Sequence, residues 1–440
     1  MVLEQTSLDQ QQFVIPNYDQ LPDFFRQAQA QALAQWDSLE LPVIERMRYK
    51  KWPLFSQTIA STEPSEAGSL AKALEAVAGD LLANDEVAAR IILYGNEIVL
   101  DYIDPDLTNK GVIVQDLFTA LVDHADLVQE HLFSTLSPEA DKVNAYHTAY
   151  MNGGLFIYIP KDTEVNLPIE TVLVQNSSED LAFNKHILIV SESHSRVTYL
   201  ERSTTVGDQA NSATILTEVI ASAGAQVKFV AMDALGESTY AFVRRHGITY
   251  DDANIEWAVA AMNQGNTILD TYTELKGQGS ASNTNVISIA NGKQTQMINT
   301  GLLNVGHHSA ANIFQHGVIL DQARLSFNGI GHIVKDAKGA DAQQESRLMM
   351  LSQESRGDTN PILYIDEFEV TAGHAASVGQ VDPEQLYYLM SRGLSQADAE
   401  YLLIRGFLGQ VIQTIPSTQV RQQMVEMIDN KLQLFHPGNL

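Results

Sequence analysis

The chain contains no cysteine among its 440 residues. That absence excludes disulfides, thiol nucleophiles and thiolate ligands together, so the chain alone cannot hold a metal cluster in the usual thiolate manner. Positive charge is also scarce: 27 Lys and Arg stand against 54 Asp and Glu, a formal net charge of -27. A surface so acidic repels phosphate backbones and anionic lipid, so nucleic acid and membrane are not expected as partners, whereas a partner with a basic face would suit it. No run reaches the ~18 apolar residues needed to span a bilayer. The opening MVLEQTSLDQQQF lacks the positive-then-apolar order of a secretory signal. A cytoplasmic location is expected. Catalytic signatures are missing as well: there is no Gly-x-x-x-x-Gly-Lys-Ser/Thr phosphate loop, no His-Glu-x-x-His and no Gly-x-Ser-x-Gly elbow.

What is present is ordinary globular material, 45% hydrophobic and 18% charged, at a length that suggests two or three domains. Tyr18 to Ser38 reads as helical, rich in Gln and Ala with spaced Leu, Phe and Trp. A basic and aromatic stretch, Arg46 to Leu54, follows, in which Tyr49 and Trp52 are expected to pack on the main body. Ser65 to Leu82 is helical again, bounded by Thr62-Glu63-Pro64. From about Arg90 the texture turns to strands. Ile91 to Tyr94 and Ile98 to Leu100 flank a Gly95-Asn96-Glu97 corner, and helical excursions are expected at Asp116 to His131 and Ala140 to Met151.

Short apolar segments then recur beyond residue 150, separated by small polar corners such as Glu192-Ser193-His194-Ser195, Ser222-Ala223-Gly224-Ala225 and Asp321-Gln322-Ala323. Corners at intervals of roughly 20–30 residues fit stacked coils of a β-solenoid. A β-sandwich alternates strands and turns too, but one texture running from about 150 to 370 is too long for one sandwich. Gly277-Gln278-Gly279 reads as another corner. The end is helical: Asp382-Pro383-Glu384 opens a helix closed by Arg392-Gly393. Ser395 with Asp398 caps a second helix carrying Leu402, Leu403, Phe407 and Leu408, and Ser417 to Leu434 forms a third.

Histidine is the candidate ligand. His307, His308, His316, His332 and His374 lie close in sequence, and imidazole suits iron and zinc. One coil apart, His316 and His332 could be neighbours. His307 and His308, read as a strand, point to opposite faces. Paired carboxylates Asp251-Asp252 and Asp366-Glu367 raise the alternative of a carbohydrate-active solenoid enzyme, but adjacent strand residues point apart and make poor acid/base pairs.

The stretch from Lys335 to Ser352 (KDAKGADAQQESRLMMLS), the Gly357-Asp358-Thr359-Asn360-Pro361 segment, Gly373-His374-Ala375-Ala376-Ser377-Val378-Gly379 and Leu386 to Leu394 (LYYLMSRGL) together resemble the SufB/SufD family of iron–sulfur cluster assembly scaffolds. Asn152-Gly153-Gly154 with Phe156 to Lys161 resembles the family's Gly-Gly-x-Phe-Ile-Tyr-Val-Pro-Lys segment. The resemblance implies a mainly β protein with a right-handed parallel β-helix core between helical ends. Its boundaries would be 1–89 for the N-terminal helical domain, 90–372 for the core and 373–440 for an ATPase-docking helical domain. It implies a non-catalytic scaffold subunit of SufD type that pairs with a SufB-like subunit and docks a SufC-like ATPase. Pairing with a second copy of this chain is the alternative. By motif position, His374 falls at the cluster-assembly interface and is the candidate metal ligand, assisted by a carboxylate such as Asp366 or Glu367. Tyr387, Arg392, Gly393, Leu402 and Phe407 fall in the ATPase-docking helices. No tightly bound cofactor is expected in the chain alone, only a transient iron–sulfur cluster in the complex. The family's usual Cys-Ser-His-Gly is here Ala372-Gly373-His374-Ala375, so sulfur chemistry would sit on another subunit.

Overall fold

The computed structural model describes residues 20–56, 69–77, 81–178, 181–413 and 418–435; the opening stretch at 1–13 and the Thr62-Glu63-Pro64 boundary lie outside them. The helices are α1 (Asp23–Gln35), α2 (Ser69–Val77), α3 (Pro105–Asn109), α4 (Leu117–Asp123), α5 (Ala125–His131), α6 (Lys142–Tyr150), α7 (Pro383–Ser391), α8 (Gln396–Ile412) and α9 (Thr418–Phe435). The strands begin with β1 (Ala89–Tyr94), β2 (Glu97–Ile103), β3 (Ile113–Asp116), β4 (Gly154–Ile159), β5 (Ile169–Asn176), β6 (Phe183–Ser191) and β7 (Arg196–Val206). They continue with β8 (Asn211–Ala221), β9 (Gln226–Ala234), β10 (Thr239–Thr249), β11 (Asn254–Ala261), β12 (Thr267–Leu275) and β13 (Ala281–Ala290). The last are β14 (Thr295–Asn304), β15 (Ala310–Ile319), β16 (Arg324–Ile333), β17 (Asp341–Met350), β18 (Arg356–Ile365) and β19 (Thr371–Gln380).

From β4 onward the chain deals its strands alternately to two sheets. Even-numbered strands stack in one order from β4 to β18, odd-numbered strands in another from β5 to β19, and all these neighbours are parallel. Each coil of about 30 residues therefore gives one strand to each sheet, which is a parallel β-solenoid and not a sandwich of antiparallel strands. The Gly95-Asn96-Glu97 corner closes a hairpin: β2 lies antiparallel on β1, which joins β5.

Between the sheets, inward side chains repeat at each coil and meet their own kind at the strand spacing. Tyr199, Phe229 and Trp257 form a ladder with ring centroids 4.9 Å apart at both steps. A charged cluster also faces inward. Arg245, fully buried, bonds Glu201 and Asp233 at 2.7 Å each. Its neighbour Arg244 points outward, to Asp141 at the start of α6 and to Asp270, so adjacent arginines hold the lumen and the helical coat respectively.

One corner of the solenoid is a column of left-handed residues: Asp162, His194, Gly224, Asp252, Gly279, His308 and Gly339 all have positive φ. Each backbone N–H in it donates to a carbonyl of the following coil, as His194 N does to Ala223 O and Gly224 N to Asp251 O. From His194 on, side chains alternate with glycine because they lie over the next coil's corner. A Cβ at Gly224 would stand 2.3 Å from His194 Nδ1, and one at Gly339 the same distance from His308 Nδ1.

The outer faces are clothed by the two ends of the chain. Ile44, Tyr49 and Leu54 pack on Phe242, Ile268 and Met297 of the even sheet, and the Tyr49 and Trp52 rings lie against Phe242 and Tyr240. On the odd sheet, Ile404, Leu408, Val411 and Ile412 of α8 and Met424, Ile428 and Leu432 of α9 cover Val230, Met232, Ile287 and Val318. Of the expected Leu402–Leu403–Phe407–Leu408 face, Leu408 and Phe407 do meet the sheet, whereas Leu402 is exposed, because the seam runs through Ile404, Leu408 and Val411. The C-terminal punctuation is as read, with Ser395 and Asp398 forming a reciprocal cap and Gly393 left-handed. Strand β19 carries the sheet past residue 372, since Gly373 to Gln380 pairs in register with β17.

Candidate functional site at the open end of the solenoid

The two ends of the solenoid differ. At the start, the antiparallel strands β2 and β3 flank the parallel stacks. At the other end, among the described residues, the sheets stop at β18 and β19, each paired on one side. The last coil is exposed where the preceding ones are buried. Two bare strand edges with unpaired backbone groups are a template for further strands.

His374 sits on this last coil. Its motif forms part of strand β19, which pairs in register with β17 through Gln344↔His374. Thr284, Ile313, Gln344 and His374 occupy successive coils of one inward row, so His374 stands at the mouth of the lumen. It lines a groove of ≈ 600 Å³ together with Asn312, Phe314, Gln343, Gln344 and Glu345.

The other histidines disperse. His316 and His332 are not stacked: consecutive strands belong to opposite sheets, so His316 is in register with Arg347 and His332 with Tyr364. His316 is buried under α8, where Nδ1 donates to Phe407 O (2.9 Å) and the ring stacks on Phe407. His307 and His308 lie in a corner and not in a strand. Asp366 pairs with His332 at 3.1 Å. Glu367 accepts from the backbone N–H groups of Phe368 and Asp336 and from Lys335, and these bonds pull its carboxyl down to about 2. Neither carboxylate bonds His374. Among the described residues no three His, Asp or Glu side chains converge to hold a metal ion.

A buried chain that sequence reasoning did not find runs from His147 on α6 to His186 on β6 and Glu218 on β8, with ring-to-ring and ring-to-carboxylate separations of 3.3 and 3.2 Å. Glu218 also accepts from Phe133 N and Thr135 N. These bonds seat the N-terminal helices on the solenoid.

Immediately after β19 comes the α7–α8 hairpin. Tyr387 is 75% exposed; Tyr388, Met390 and Leu402 are exposed with it. Arg392 lies over the Tyr388 ring, 5.0 Å from its centroid, and Gly393 turns the chain into α8. Phe407 differs from these: it faces inward on His316. Tyr388 was not singled out from sequence, although it lies in the same Leu-Tyr-Tyr-Leu run as Tyr387.

A solenoid with one open end, entered by a lone histidine and followed by a helical hairpin, defines the architecture. The family model described as the SufBD core domain of SUF system FeS cluster assembly matches residues 173–407, and that of the SufBD protein N-terminal region matches 86–171. The chain belongs to the SufBD family. It is 39% identical to the iron-sulfur cluster assembly protein SufD of Bacillus subtilis, an alignment covering 94% of this chain and 95% of that one. An iron-sulfur cluster assembly SufBD family protein of Staphylococcus saprophyticus is 28% identical over 73% of this chain and 70% of its own length. No helix among the described residues is long and apolar enough to cross a membrane.

Proposed function

We propose that this chain is a non-catalytic scaffold subunit of cytoplasmic SUF iron–sulfur cluster assembly, pairing end-on with a SufB-like subunit and docking a SufC-like ATPase. The observation that carries this reading is the open last coil: two bare strand edges flank His374, in a SufBD-family chain without cysteine. Edge strands pair readily with another sheet. One imidazole is not a ligand set for a cluster, so the thiolates come from the paired subunit and the cluster passes through as cargo. The exposed Tyr387, Tyr388, Met390 and Leu402 form the ATPase-docking face, while Arg392 and Gly393 set its shape. Phe407 acts from behind by holding α8 on the sheet.

The contacts of the paired carboxylates weigh against the carbohydrate-active alternative: Asp251 Oδ1 accepts from Gln278 N at 2.8 Å, Asp252 lies over Gly279, and Asp366 and Glu367 are engaged as described. The test is reconstitution of the complex with its SufB-like and SufC-like partners. His374→Ala is expected to leave folding intact and lower cluster yield. An unchanged yield removes His374 from the mechanism.

A further inference from the structure

We infer that Gln344 positions the His374 imidazole, fixing which ring nitrogen carries the proton. This rests on the role proposed for His374, but the pairing itself is testable in the isolated chain. Gln344 is one coil beneath His374 in the same inward row, at the ~4.8 Å spacing of adjacent strands. It is 5% exposed, and its Nε2 donates across the lumen to Ile362 O at 2.8 Å. That bond sets the amide's orientation and leaves Oε1 buried with no hydrogen-bond partner. Leaving a buried carbonyl oxygen without a donor forfeits its hydration for nothing, so such atoms call for a reason.

The surrounding sequence makes room for this amide. A Cβ at Gly329 would stand 2.9 Å from Gln344 Oε1, and one at Gly331 would stand 2.8 Å from Nε2. The next inward side chain on β17, Ser346, is already engaged, donating to Gln315 Oε1 at 2.9 Å. Among the described residues the His374 ring has no hydrogen-bond partner of its own. An acceptor with no partner among the described residues thus lies one coil below an unpaired imidazole in the same inward row.

When the ring N–H turns inward to Gln344 Oε1, the neutral imidazole is held in one tautomer. The other nitrogen keeps its lone pair and is free to face the open end, which is the form in which histidine binds a metal. The glutamine within the Gly339-x-Asp341-Ala342-x-Gln344 motif thereby acquires a reason that strand pairing alone does not supply.

The experiment uses the full chain labelled with 15N-histidine. The His374 signals are identified by their loss in His374→Ala, and the two ring-nitrogen shifts report the tautomer. The wild type is expected to show one tautomer for His374. Gln344→Met, which keeps an unbranched chain of similar length, is expected to show a mixture. Ser346→Ala, which disturbs the same strand without touching the acceptor, is expected to show none. In the reconstituted complex Gln344→Met is expected to lower cluster yield about tenfold, the scale seen when a ligand's hydrogen-bond partner is removed. A His374 tautomer unchanged by Gln344→Met, or shifted equally by Ser346→Ala, overturns the inference. A tautomer that depends on Gln344 alongside a cluster yield indifferent to His374→Ala would sustain the pairing and overturn the role proposed for His374.

Discussion

Arg245→Met is the sharpest probe of how the lumen is held together. Arg245, Glu201 and Asp233 are buried between the sheets, and the guanidinium bonds both carboxylates at 2.7 Å. Removing the cation leaves two carboxylates facing each other in a dry interior, and breaking such a pair costs about 3–5 kcal/mol. For a chain of this size that is a fall in Tm on the order of 5–10 °C. Burial already raises the Glu201 carboxyl, with Asp233 adding to the rise, and without Arg245 it rises further. A carboxyl raised in the folded state contributes stability below its unfolded pKa and loses it as pH climbs through the folded value. The variant should therefore recover part of its deficit on acidification from pH 7 to pH 5. Adding Glu201→Gln and Asp233→Asn to Arg245→Met should recover most of the deficit at pH 7, because the repulsion goes with the charges. Thermal melts followed by circular dichroism at the two pH values check this. A single variant as stable as wild type at pH 7, or a triple variant less stable than the single, would refute the reasoning.

Lys431 on α9 is buried, with Met262 O and Asn263 O as acceptors, and burial lowers it to about 7 from an unfolded value of 10.5. The unfolded chain then binds the proton that the folded chain releases, so this group adds stability as pH rises from about 7 toward 10.5. Lys431→Met should flatten the rise of Tm over that range, and an unchanged slope would count against it. Gly224→Ala places a Cβ both at φ +72° and 2.3 Å from His194 Nδ1. The left-handed conformation alone costs about 1–2 kcal/mol, so urea titration should show at least that loss, and adding His194→Ala should recover only the portion due to contact. Tyr387→Ala, on a side chain already 75% exposed, should leave Tm unchanged while weakening capture of the ATPase; equal capture would remove Tyr387 from the docking face.

Much of the architecture was legible because it is written in local signals. The corners at 192–195, 222–225 and 277–279 announce themselves by small and polar residues, and the Ser395/Asp398 cap and Gly393 stop mark the helix hairpin. The misread features depend on what lies a coil away. His316 and His332 are near in sequence, yet a coil deals them to opposite sheets. The face of α8 was drawn through Leu402, whereas the sheet meets Ile404. Glu201, Asp233 and Arg245 are brought together across three strands, and no spacing rule within one strand connects them. His374 was set apart from the other four candidate histidines only by the family motif. Its orientation into the lumen follows from register with Gln344, which no single strand's sequence specifies.

The central claim is that the open end at β18 and β19 is where a second solenoid subunit attaches. A photo-crosslinking amino acid at Ser377 of β19, in the chain expressed with its SufB-like and SufC-like partners, tests this most directly, with Glu97 at the opposite end of the solenoid as the control position. The account predicts a crosslink from position 377 to the SufB-like subunit and none from position 97. Crosslinks from 377 to a second copy of this chain alone, to the ATPase alone, or to neither would contradict it.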